Sequence, residues 1–81
     1  MKIEFSAHAV KDYQALPIKL KQTADKQFAF LLKNFLHPSL RAKKYNESGD
    51  IWQARITKAH RFYFRIVGGI YYIIRIIKHP K

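Results

Sequence analysis

Eighty-one residues carry sixteen Lys and Arg against five acids, for a net charge of +11. That length is one small domain, read here as a single unit over 1–81, near the lower limit at which a chain folds without staples. The absence of cysteine excludes disulfides and thiolate-ligated metals. The 48% hydrophobic and 15% aromatic content argues against a disordered basic tail.

Basic excess on this scale in a folded domain implies a polyanionic partner: nucleic acid, an acidic protein or an anionic membrane. A membrane surface is the weakest of these, because no helical pattern pairs a basic face with an exposed aromatic one. No apolar run reaches the roughly 18 residues that span a bilayer. The opening MKIEF enters a strand-like pattern without the apolar core of a signal peptide, so a cytoplasmic address is expected.

Taken in order, Lys2 to Phe5 alternates polar and apolar residues, a short strand signal. Ser6 is a candidate N-cap for a first helix over Ala7 to Leu16, where Ala9, Tyr13 and Leu16 share one face. Pro17 breaks the run and suits the first turn of a second helix, which should extend to Phe35 or Leu36. Its apolar stripe is Leu20, Ala24, Phe28, Leu31 and Phe35, with Lys19, Lys26 and Lys33 on the solvated side. His37-Pro38-Ser39 ends that helix. Leu40 to Tyr45 reads as a short extended or turn segment, and Asn46 to Asp50 as a turn cluster.

Three strands follow, from Ile51 to Ile56, Arg61 to Ile66 and Ile70 to Ile77, the last two joined at Gly68-Gly69 by a hairpin turn needing positive φ. Alternation puts Trp52, Phe62, Phe64, Tyr72 and Ile74 on one face, under the helices. It leaves Gln53, Arg55, Arg61, Tyr63, Arg65 and Arg75 on the other. The expected fold is α+β, a small β-α-α-β-β-β domain whose helical hairpin packs on one face of an antiparallel sheet.

The stretch from Ile51 to Lys81 holds Arg55, Lys58, Arg61, Arg65, Arg75, Lys78 and Lys81 and not one acid. Period-two spacing gathers Arg55, Arg61, Tyr63 and Arg65 on one side of two neighbouring strands. The plain alternative is a solvated outer face. Clustered guanidiniums repel one another, however, and they gain when phosphate oxygens arrive to accept paired hydrogen bonds. Arg41, Lys43 and Lys44 form a second basic cluster leading into this face, and Tyr63 and Tyr71 are candidates for stacking on bases. Trp52 belongs with the core. The four histidines lack ligand spacing, so no metal is expected, and His79 alone lies where it could join the cationic face as a base or a stacking group. Paired carboxylates, a catalytic triad and a phosphate-cradling Gly loop are absent, which leaves Arg, Lys, His and Tyr for any chemistry.

The run HPSLRAKKYNESGDIWQARITKAHRFYFRIVGGIYYIIRIIKHPK resembles the C-terminal half of RelE/ParE-superfamily toxins. The matching pieces are HPSLR-x-KK, then G-x-IW-x-AR-x-T, then the aromatic strand opened by Arg61, then a final strand followed by His79. The resemblance implies an mRNA interferase of a type II toxin–antitoxin pair, using basic residues and no cofactor. It implies Arg55, Arg61 and His79 as catalytic residues, and for such a protein the basic, amide and aromatic residues Arg41, Lys43, Lys44, Gln53, Lys58, Tyr63, Arg65, Arg75 and Lys78 are the expected RNA-binding ones. Gln53 stands where RelE proper carries a Lys, and that protein's C-terminal Tyr has no counterpart here. Implied partners are an acidic cognate antitoxin, messenger RNA and the ribosome. The competing expectations are a gyrase-inhibiting toxin like ParE and an RNA-binding module without catalysis.

Overall fold

The computed structural model describes residues 1–46 and 48–78. Along the chain come β1 (Lys2–Phe5), α1 (Ala7–Gln14), α2 (Ile18–Lys33), a 3-10 turn (Pro38–Leu40), β2 (Lys43–Asn46), β3 (Ile51–Arg55), β4 (His60–Val67) and β5 (Ile70–Lys78). The five strands form one sheet in the order β1-β5-β4-β3-β2. The α+β arrangement expected from the sequence is present, with two additions. The segment around Lys43 is an edge strand, antiparallel to β3. The first strand runs parallel to β5, so the sheet is mixed.

Local chemistry sets the element ends. Ser6 caps α1, its Oγ accepting from the Ala9 backbone N–H at 3.0 Å. The same hydroxyl donates to the Ile74 carbonyl at 2.7 Å, tying the helix start to β5. Gly68 and Gly69 both have positive φ (54° and 81°), as the tight β4–β5 hairpin requires.

Ala24, Phe28 and Leu31 of α2 and Ala9 of α1 press onto Ala54, Phe62, Phe64, Tyr71, Ile73 and Ile76 of the sheet. Phe62 and Phe64 are fully buried. Edge-to-face ring contacts run from Phe5 to Phe28 (5.3 Å) and on to Phe62 (5.0 Å), and Phe35 meets Trp52 in the same way (5.3 Å).

One part of the expected facing is reversed. Tyr71 and Ile73, rather than Tyr72 and Ile74, lie under the helices. The β4–β5 register slips between Tyr63 and Phe64: Tyr63 pairs Arg75, while Phe64 pairs Ile73. Ile74 is the extra residue of a bulge, and an extra residue inverts the facing of everything beyond it. Tyr71 is therefore core, not a stacking platform.

Candidate functional site

The uncovered face of the sheet carries the site. Arg55 of β3 and Arg61 of β4 are direct cross-strand partners, so both side chains leave the same face side by side. One pleat repeat along, Lys43, Gln53 and Tyr63 form a second row across β2, β3 and β4. Arg41, Lys43, Gln53, Arg55 and Arg61 line one concavity of about 230 Å³. Four of the five are cations, and no carboxylate lies among them.

Arg61 is held from outside the concavity. Arg61 Nη1 donates to the carbonyls of Thr57 (2.6 Å) and Lys58 (2.8 Å), and more weakly to that of His60 (3.3 Å). The β3–β4 turn thereby fixes its guanidinium. Arg41 ends the 3-10 turn in the left-handed region, with φ at 48°. Beneath both clusters lies Gln27 of α2, buried inside the apolar stripe. Its Nε2 donates to the Arg55 carbonyl at 2.8 Å and to the Ser39 carbonyl at 3.1 Å, and Ser39 Oγ returns a bond to Gln27 Oε1 at 3.0 Å. One side chain thus joins α2, the turn before Arg41, and the strand end bearing Arg55. Its spacing from Ala24 and Leu31 was the available signal: a polar residue on a core-facing helical stripe.

The electrostatics are unbalanced. Arg55 is half-buried, and its Nε is buried without a hydrogen-bond partner among the described residues. Burial holds the Arg55 guanidinium below its usual pKa, and the charges of Arg41 and Arg61 push it the same way. Burial raises the Tyr63 phenol, helped by Tyr45 and opposed by Arg61. An anion carrying several acceptor oxygens answers all three demands: charge, donor satisfaction and geometry. Among the described residues there is no group of three or more His, Cys, Asp or Glu able to hold a metal.

No family model matches the sequence, and no curated protein matches it either. Solved structures do. A YoeB/ParE toxin from Agrobacterium tumefaciens superposes with a TM-score of 0.83 at 19% identity, covering 99% of this chain and 100% of that one. The YoeB dimer from Staphylococcus aureus gives 0.80 at 20% identity, over 100% and 98%. The archaeal RelE–RelB complex from Pyrococcus horikoshii OT3 gives 0.80 at 16% identity, over 95% and 92%. The chain has the RelE/ParE toxin fold.

Within this RelE-like fold the remaining expected site residues separate. Lys58 lies on the exposed β3–β4 turn, and Arg65 stands two residues beyond Tyr63 on the same face of β4, opposite Tyr72. Both border the concavity's face without lining it. Three others are elsewhere. Lys44 pairs with Trp52 on the helix-side face, lies over its ring at 5.4 Å, and forms an ion pair with Asp50. Adjacent strand residues face opposite ways, which parts Lys44 from Lys43. Lys78 pairs with His60 and shares the facing of the buried Phe62 and Ile76, opposite to that of Arg55 and Arg61. Arg75 starts on the open face beside Tyr63 but reaches over the sheet edge to Asp12 of α1, Nε to Oδ2 at 2.8 Å. His79 lies outside the described residues. Trp52 packs between Phe35 and Phe64 at the margin of the core, as expected.

Proposed function

We propose that this protein is the toxin of a type II toxin–antitoxin pair and cuts messenger RNA at the ribosome. The observation that carries this reading is the direct apposition of Arg55 and Arg61 on the open face, closed by Arg41 and Lys43 and free of carboxylates. Such a basin suits a phosphodiester whose charge rises during reaction.

In the reaction the RNA 2′-oxygen attacks the adjacent phosphorus, the P–O5′ bond breaks, and the proton leaving O2′ is balanced by one delivered to O5′. The products are a 2′,3′-cyclic phosphate and a 5′-hydroxyl. Arg55 and Arg61 bind the non-bridging oxygens, whose negative charge is greatest in the pentacoordinate transition state. The Arg61 guanidinium, already fixed by the Thr57 and Lys58 carbonyls, and the Arg55 strand end, tied at its carbonyl by Gln27, lower that barrier without rearranging. Gln53 stands one pleat repeat from Arg55, opposite Tyr63, as a neutral neighbour and cannot serve as a base. His79 is our candidate for carrying the proton to the leaving oxygen. Arg41 and Lys43 hold the strand on one side of the scissile phosphate.

Partner and address follow from the same reading. The P. horikoshii RelE structure is a complex with RelB, and the RelB–RelE pair from Methanococcus jannaschii is an antitoxin–toxin complex. A chain of net charge +11 calls for an acidic antitoxin of its own. Translating ribosomes and messenger put the action in the cytoplasm. No helix among the described residues is long and apolar enough to cross a membrane. The test adds the purified protein to translating ribosomes and maps new message ends, with gyrase and supercoiled DNA as a parallel arm. Cyclic-phosphate ends within the decoded codon support the proposal. Uncut message with blocked gyrase would replace it with the ParE-type activity.

A further inference from the structure

The cationic basin has an apolar neighbour. Tyr45, Ile51, Tyr63, Ile74, Arg75 and Ile77 line a second concavity of about 220 Å³ on the same face. The same strands build both. β2 gives Lys43 to the first and Tyr45 to the second, β3 gives Gln53 and Ile51, and β4 gives Arg61 and Tyr63. Each pair is two residues apart, so the two concavities are about 7 Å from centre to centre along the strands. The bulge at Ile74 contributes as well, since it turns an additional apolar side chain toward this face.

The ring arrangement is unusual for a solvated sheet face. Tyr45 and Tyr63 meet edge to face at 4.9 Å, yet Tyr45 is 61% exposed. Burial holds the Tyr63 phenol above its usual pKa, so that wall stays a neutral aromatic ring at physiological pH. Core packing explains neither exposed Tyr45 nor half-buried Ile77. A ligand with an anionic centre and a flat aromatic group one pleat repeat away would fit both concavities at once.

We infer that the Tyr45–Tyr63 concavity takes the nucleobase of the nucleotide next to the phosphate held at Arg55 and Arg61. The inference rests on the RNA-cutting reading and adds to it the seat of one unstacked base. Tyr45 and Tyr63 supply the stacking surface, Ile51, Ile74 and Ile77 the apolar floor, and Arg75 the rim. Stacking of this kind tolerates any base, because each has a π-face. Its main effect is to demand a single, splayed strand: a duplexed base cannot enter.

The test uses short single-stranded RNA with a 2′-deoxy sugar at the cleavage position, so that it binds uncut, and one abasic residue moved along it. With the unaltered protein, one abasic position is expected to weaken binding about 5- to 150-fold, the range for loss of one aromatic–base stack. In Tyr45→Ala that position should lose its effect, and in Tyr45→Phe it should keep it. Arg61→Ala should weaken every oligonucleotide alike and leave the abasic pattern unchanged. Retention of the full abasic penalty by a folded Tyr45→Ala protein overturns the base seat while sparing the cationic basin. Indifference of affinity to Arg61→Ala overturns the RNA-cutting reading itself, and absence of any RNA binding by the unaltered protein overturns both. The exposed position of Tyr45 keeps the variant's fold safe, which a thermal melt verifies.

Discussion

Arg55 stands at a cost to the fold. A half-buried guanidinium whose Nε has no partner among the described residues, pressed by Arg41 and Arg61, is an arrangement that stability alone would discard. Replacement of Arg55 by Met keeps the stem and removes the charge. The variant is expected to melt at a higher temperature than the parent while losing RNA cleavage, and a thermal melt beside a cleavage assay checks both halves. Gln27 is the opposite case, a side chain whose bonds the fold needs. Gln27→Leu leaves the carbonyls of Arg55 and Ser39 and the Ser39 hydroxyl without their partner. A loss of about 1–3 kcal/mol in urea unfolding is expected, with weaker phosphate binding because Arg41 and Arg55 lose their common anchor. Gln27 was visible in the sequence only as an anomaly on a helical stripe. What it bonds to lies 28 residues further on at Arg55, beyond the reach of any periodicity.

At the scale of elements, the joint between α1 and β5 matters most. β1 pairs with β5 from Ile70 only as far as Ile73, which leaves the rest of that strand as an open edge. Asp12 covers it: Oδ2 accepts from the Ile76 backbone N–H at 2.9 Å and from Arg75 Nε at 2.8 Å. The hydrogen bond from Arg75 is the largest influence lowering the Asp12 pKa; burial opposes it, and the Ile76 N–H assists. A carboxylate with a folded pKa below its unfolded one adds stability that is complete above the unfolded value, near pH 4. That stability fades as pH falls through the folded value. Asp12→Asn should therefore lower stability at neutral pH and flatten its decline on acidification, as unfolding midpoints from pH 7 to pH 2 would record. Equal acid sensitivity in parent and variant would exclude this role.

The strands themselves were legible because Phe62, Phe64, Arg61 and Arg55 alternate cleanly. β5 was not, since Tyr71, Tyr72, Ile73 and Ile74 are apolar on both faces and carry no mark of the bulge. Alternation also placed Arg55 and Arg61 together correctly. It failed for Lys44, because the Arg41–Lys44 run read as a loop cluster and only its pairing as a strand divides Lys43 from Lys44. Arg75 was assigned its starting face correctly, but its partner Asp12 is 63 residues away.

Across the whole molecule, charge is distributed by function. Among the described residues Asp12 is engaged with Arg75, Asp50 with Lys44, and Asp25 accepts from Tyr13 at 2.8 Å. All three lie away from the Arg55–Arg61 basin, so the cations there remain available to an external anion. RNA binding should weaken steeply with salt, each phosphate contact contributing about 0.7 to the slope for a single strand. Removal of Arg41 or Lys43 should lower the slope by about that amount without altering which message positions are cut. Fluorescence titrations over a range of salt concentrations measure it.

The apposed guanidiniums of Arg55 and Arg61 are the feature from which the proposed chemistry follows. The most direct measurement is the single-turnover rate of message cleavage on programmed ribosomes by Arg61→Ala, beside a spectrum and melt showing that the variant is folded. A fall of about 100-fold or more is expected, the scale for removing one preorganised donor from a developing oxyanion. A folded Arg61→Ala protein that cuts at the parental rate would contradict the account.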